Sequence, residues 1–198
     1  MNPRSPNKPP ERASARQLRI IGGRWRGRRF RFPAAEIRPT PDRVRETLFN
    51  WLMARIAGAR CLDLFAGSGA LGLEALSRGA VAVQFVDRDA AACRALRELL
   101  VAWEAEGAEV QHSSAEKFLA GAPRSFDIAF LDPPFAAGAL EGAVTALEAR
   151  GWLRPGGVIY IEHARRDPLP ALPAAFQPLR SGTAGEVGYH LLEFQARS

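Results

Sequence analysis

The sequence predicts an α/β fold, a mostly parallel sheet with helices on both faces. Three observations carry this. From Arg60 onward, short apolar runs alternate with longer amphipathic stretches of helical period. A glycine-rich turn, Gly67 to Gly72, follows the first run, and Asp87 and Asp132 close the second and fourth. The last two runs have no helix between them, so one of the pair runs antiparallel.

In chain order, residues 1–16 hold four prolines and scattered Arg, and 1–17 is expected to be a disordered basic tail. LRIIGGRWRGRRFRF (18–32) alternates Arg with Ile, Trp and Phe around Gly22, Gly23 and Gly27. That predicts short strands with tight turns, one side apolar and the other basic. Thr40 stands as a cap before Pro41-Asp42. Val44, Leu48, Trp51 and Leu52 at helical spacing predict an amphipathic helix over 42–57, ended by Gly58, with Phe49 and Trp51 in the core. An N-terminal extension, 18–57, is thereby set apart from an α/β body, 58–198. Within the body, strands are expected at 61–66, 80–87, 108–112, 126–132, 156–163, 176–181 and 186–194. Helices are expected from the glycine turn through about Ser77, and at 89–104, 114–120 and 137–150.

Composition narrows the function. The chain has 198 residues, 47% hydrophobic and 24% charged, which suits one domain with an ordinary core. Cys61 and Cys93 show no CxxC or Cys/His spacing, so they read as small core residues rather than disulfide or zinc ligands. No metal is expected. No apolar run approaches the roughly 18–20 residues of a membrane span, and the N-terminus lacks the apolar segment of a signal peptide. The expected setting is soluble and cytoplasmic. Residues 1–55 hold 14 Lys or Arg against 4 Asp or Glu, a balance of +10, whereas 56–198 balance at −4. A basic arm on a mildly acidic body points to a polyanion, and nucleic acid fits best. Arg24, Arg26, Arg28 and Arg29 surround Trp25, which could stack on RNA while the arginines pair phosphates, or could pack the extension onto the body.

Two turns carry the chemistry. In Asp63-Leu-Phe-Ala-Gly67-Ser68-Gly69-Ala-Leu-Gly72, strand, turn and helix bring a ligand to the glycines. Asp87, twenty residues past Gly67, suits a carboxylate bonding both hydroxyls of a ribose. A tight turn that binds nothing also uses glycines, but it has no need of the acidic strand end. NAD and S-adenosylmethionine both satisfy this geometry. Asp63, buried just before the glycines, would repel a pyrophosphate and attract a methionine ammonium, which favours S-adenosylmethionine. In Asp132-Pro133-Pro134-Phe135, the prolines fix the turn and lack N–H groups, leaving carbonyls, the Asp132 carboxylate and the Phe135 ring. Such a site suits the planar exocyclic amine of a nucleobase. His163 reads as a capping or surface group.

The motifs LDLFAGSGALGLEALSRGA (62–80) and FLDPPF (130–135) resemble those of class I S-adenosylmethionine-dependent methyltransferases acting on exocyclic amines. With RIIGGRWRGRRF (19–30) and RPTPDRVRETLFNWL (38–52), the chain is similar over about 18–194 to the RsmD family. That family methylates guanine N2 in small-subunit ribosomal RNA. The resemblance implies a Rossmann-like sheet of seven strands, the last antiparallel, and an N-terminal hairpin that helps bind RNA. It implies that Asp63, Gly67 and Gly69 line the methionine end and Asp87 the ribose, with Phe65 and Ser68 also among the cofactor-binding residues. Arg38, Thr40, Arg43 and Glu46 belong to a segment that closes over cofactor and target. Ser114 stands where the family's adenine pocket uses Asp or Asn, with the Ala115 N–H as a substitute contact. Family precedent points to a monomer acting on ribosomal RNA within an assembling small-subunit particle, away from membranes. Read alone, the turn also fits adenine N6. An NAD-dependent oxidoreductase and a non-catalytic RNA-binding protein stand as more remote alternatives.

Overall fold

The computed structural model describes residues 16–33, 40–133 and 138–196. The expected tail lies outside the described residues except for Arg16 and Gln17, which open β1 (Arg16–Arg19). β1 pairs antiparallel with β2 (Arg29–Phe32), opposing Leu18 to Phe30. The connection is wider than a tight turn: a short 3-10 turn at Gly23–Trp25 intervenes, and the ladder continues as Ile20 N–H donates to the Arg28 carbonyl. β2 alternates as expected, with Phe30 and Phe32 buried and Arg29 and Arg31 exposed. α1 spans Asp42–Trp51, shorter than expected, because irregular turns rather than helix carry the chain on to Gly58.

The body follows as β3 (Arg60–Asp63), α2 (Ala70–Ser77), β4 (Ala82–Asp87), α3 (Ala90–Ala102), β5 (Ala108–His112), α4 (Ala115–Leu119) and β6 (Phe126–Leu131). It ends with α5 (Ala139–Ala149), β7 (Leu153–Ala164), β8 (Phe176–Ala184) and β9 (Val187–Phe194). The sheet order is β5-β4-β3-β6-β7-β9-β8. β9 is antiparallel to both neighbours, while the strands from β5 through β7 pair parallel. Strand order reverses at β3, so a crevice opens beyond the ends of β3 and β6, where such sheets bind ligands.

Alternate residues of each strand feed different cores. Cys61, Phe85, Phe130 and Tyr160 face the side covered by the hairpin, α1, α2 and α3. Leu62, Val86, Leu131 and Ile161 face α4 and α5. α2 is buried along its whole length. It lies so close to β4 that a Cβ at Gly72 would stand 2.2 Å from the Phe85 ring. Among the described residues no helix is long and apolar enough to cross a membrane.

A buried charge cluster fixes the hairpin to the body. Glu74, fully buried in α2, accepts the N–H groups of Ile21 and Gly22 at 2.9 and 2.8 Å and pairs with Arg78 at 2.8 Å. Buried Arg45 lies 3.7 Å from Glu74 and donates to Asp42 and to the Arg19 carbonyl. Gly23 comes so near Ser77 that a Cβ would fall 1.9 Å from its carbonyl oxygen. Gly22-Gly23 therefore serves close docking on α2.

Candidate active site

Three parallel strands deliver three acids to one end and one face of the sheet. Asp63 closes β3 opposite Phe130 of β6. Leu131 is paired with Ile161 of β7, so Asp132 and Glu162 follow side by side one step later. All three belong to the face covered by α1 and α2, by the two-residue period of the strands.

The glycine turn is braced by acids from both flanking strands. Gly69 opens α2 with φ of +75°, in the left-handed region that favours glycine. Asp63 Oδ2 accepts the Gly72 N–H at 2.9 Å, which ties the buried acid to the first turn of α2. Asp87 accepts the N–H of Gly67 at 2.6 Å and that of Asp89 at 2.8 Å, fixing its carboxylate at the end of β4. Ser68 is buried within the turn. Phe65 is half-buried and packs against the α4–α5 core, on the opposite side from Asp63.

Thr40 does not cap α1. Its hydroxyl is buried 2.9 Å from Glu162 Oε1 and 3.3 Å from Asp132 Oδ2, and Tyr160 donates to the same Glu162 oxygen at 2.8 Å. Glu162 was missed by sequence reasoning. A glutamate inside the apolar run VIYIEH was the available signal, since a buried acid needs partners. Burial pushes the Asp63 carboxyl up to about 7, helped by the Asp87 charge and opposed by the Gly72 N–H. Burial, then the Glu162 and Asp63 charges, push Asp132 well above the ordinary carboxylate range. Burial also raises Glu162, against the bonds from Tyr160 and Thr40.

Other expected residues fall in varied places. Pro133 is buried beside Asp132, while Arg38, Pro134 and Phe135 lie outside the described residues. Ser114 caps α4 by accepting the Lys117 N–H, so its hydroxyl is engaged locally, and Ala115 opens that helix. Trp25 is buried: its ring centroid is 5.1 Å from that of Trp103, and the Arg24 guanidinium covers it at 4.4 Å. Of the two roles open to Trp25, the structure uses packing rather than an exposed base-stacking platform, because the indole attaches the hairpin to Trp103 at the end of α3. Arg24, Arg26, Arg28, Arg29 and Arg43 are all exposed. Arg45 turns inward as a strut. His163 is on the other face of the sheet, 3.0 Å from His190 and apart from the acids. Among the described residues no group of His, Cys, Asp or Glu is placed to hold a metal.

The donor set fits S-adenosylmethionine. Mutually repelling buried acids with raised proton affinity are stabilised by a ligand bearing positive charge, and this cofactor carries an ammonium and a sulfonium.

Comparison with known proteins agrees with this chemistry. The family model Conserved hypothetical protein 95 matches residues 18–193. Ribosomal RNA small subunit methyltransferase D of Escherichia coli K12 is 46% identical over 191 residues, 96% of each chain. The solved putative methyltransferase yhhF from Escherichia coli superposes with a TM-score of 0.87 at 46% identity, covering 91% of this chain and 99% of that one. The Thermus thermophilus 16S rRNA N2 methyltransferase RsmC, solved in complex with AdoMet and guanosine, gives 0.64 at 28% identity, covering 92% of this chain and 50% of that one.

Proposed function

This chain belongs to the Conserved hypothetical protein 95 family, the family of the RsmD methyltransferases, and from that membership we propose that it methylates the exocyclic N2 of a guanine in small-subunit ribosomal RNA. The observation that carries the reading is Asp132-Pro133 at the end of β6, beside Asp63 and the glycine turn at the end of β3. In this reading Asp63, Gly67, Ser68 and Gly69 hold the methionine end of the cofactor. Asp87 holds the ribose, Ser114 and Ala115 the adenine side, and Arg38 and Thr40 cover the site.

When bound, S-adenosylmethionine supplies an electrophilic methyl carbon on a positively charged sulfur. The chain's own contribution is orientation and charge. The Asp132 carboxylate and the Pro133 carbonyl accept the two N–H groups of the guanine amine, which aims the nitrogen and stabilises the positive charge that grows on it. Pro134 keeps the turn free of a competing donor, and Phe135 stacks on the base, worth ~1–3 kcal/mol. Arg24, Arg26, Arg28, Arg29 and Arg43 pair with phosphates of the flipped or unpaired substrate strand. The enzyme works as a cytoplasmic monomer on an assembling small-subunit particle.

The test is transfer of labelled methyl into small-subunit particles from cells lacking this protein, followed by nucleoside analysis. Label is expected in N2-methylguanosine. Asp132→Ala is expected to bind cofactor and to lose about 100-fold or more in rate, the scale of a lost transition-state contact. Label in another nucleoside, or a wild-type rate for Asp132→Ala, would discard the assignment.

A further inference from the structure

Thr40 bridges two carboxyls with a single hydroxyl. Its Oγ1 donates to Glu162 Oε1 at 2.9 Å and lies 3.3 Å from Asp132 Oδ2, and Tyr160 donates to the same Glu162 oxygen at 2.8 Å. The Thr40 hydrogen belongs mainly to Glu162, the nearer acceptor, which leaves oxygen lone pairs of Thr40 facing Asp132. When Asp132 takes up a proton it can donate to Thr40, which donates to Glu162. Passing that proton along the chain leaves Glu162 protonated and Thr40 donating to Asp132. The two states differ only by a shift of hydrogens along the chain, with no heavy atom displaced.

We propose that Asp132, Thr40 and Glu162 form a proton relay, in which Glu162 stores the proton that the substrate amine releases. The proposal rests on the function assigned above. The new N–C bond uses the nitrogen lone pair, and the methyl–sulfur bond breaks with its electrons going to sulfur. The nitrogen, now positive, loses one hydrogen as a proton to Asp132. Thr40 takes that proton from Asp132 as it hands its own to Glu162. Asp132 is returned to its ionised, accepting form, and Glu162 leaves the cycle neutral until it deprotonates after product release. Tyr160 is held as a donor, since burial and the Glu162 charge raise it well above its ordinary range. The groups acting on the pair are Asp63 on Asp132, Tyr160 on Glu162, and Tyr189 on Tyr160. Glu162 and Thr40 are thus positioning residues that act through Asp132.

The experiment compares wild type, Glu162→Gln, Thr40→Val and Thr40→Ser in single-turnover methyl transfer to the particles described above, across pH. Carbon-13 titration of Asp132 in the cofactor-free proteins and calorimetry of cofactor binding accompany it. Glu162→Gln and Thr40→Val are each expected to lower the plateau rate at least about 10-fold, the scale of a general acid–base contribution being 10²–10⁴, and the double variant no further. Thr40→Ser, which keeps the hydroxyl, restores the rate. The Asp132 titration is expected to move in opposite directions: down in Glu162→Gln, which removes a repelling charge, and up in Thr40→Val, which removes a donor. Plateau rates within 2-fold of wild type, additive losses in the double variant, or an Asp132 titration unmoved in Glu162→Gln would overturn the relay. Wild-type protein that places no label in N2-methylguanosine overturns the function assignment instead, and the relay with it.

Discussion

Asp63 is a buried carboxyl with a folded-state value of about 7 against an ordinary 3.8. A raised carboxyl binds protons more tightly in the folded chain, so folding is favoured most at acid pH and loses this contribution as pH rises from about 4 to about 7. Cofactor binding has the opposite sign, because a cation at the site requires the carboxylate. Affinity for S-adenosylmethionine is therefore expected to weaken as pH falls below about 7, by up to ~10-fold per unit for each proton expelled. Calorimetry between pH 5.5 and 8.5, a window of roughly 1.5 units on either side of that value, checks this. Asp63→Asn keeps an acceptor for the Gly72 N–H but removes the charge. It is expected to bind at least about 10-fold more weakly at the alkaline end, with a shallower pH dependence. An unchanged affinity there would remove Asp63 from the methionine end.

α2 positions both the glycine turn and the hairpin, and each task depends on one residue. Gly72→Ala gains helix propensity, roughly 1 kcal/mol, but its methyl collides with Phe85 and Val83 at 2.2 and 2.9 Å. Overpacking of this kind costs about 1–3 kcal/mol, so net destabilisation is expected in urea unfolding, together with weaker cofactor binding. Glu74→Ala strips acceptors from Ile21, Gly22 and Arg78 and leaves buried Arg45 without its deepest neighbour. Breaking a buried pair costs about 3–5 kcal/mol. Hydrogen exchange is expected to speed up first across β1 and β2, because that acid is their anchor. Equal protection in the variant would mean that Trp25 and Phe30, packed against Trp103, suffice to hold the hairpin.

Across the whole molecule, charge and core are partitioned. The N-terminal extension buries its aromatics in the same cluster as α2 and α3 and turns Arg24, Arg26, Arg28, Arg29 and Arg43 outward. Replacing Arg26, Arg29 and Arg43 by Gln is expected to weaken binding of ribosomal RNA fragments irrespective of sequence. It should also reduce the slope of log affinity against log salt by about 1 per lost phosphate contact. Fluorescence anisotropy at several salt concentrations reads both. Trp25→Ala, by contrast, is expected to lower stability more than the salt slope, because its ring faces Trp103 and Arg24.

Features with a local cause can be read from the order of residues. A period of two or 3.6 follows from neighbouring residues, so the βα order, the glycine turn, and Asp87 and Asp132 at strand ends were legible. The inward Phe30 and Phe32 against outward Arg29 and Arg31 followed from the same rule. The family resemblance rested on these local motifs as well. The partners of buried polar groups emerge only once the chain is folded. Thr40 meets Glu162 across 122 positions, and Glu74 meets Gly22 across 52. Thr40 therefore looked like a cap, and Trp25 remained open between two roles. A buried donor or acceptor must be satisfied by whatever the fold brings within about 3 Å, and no short window of sequence contains that neighbour.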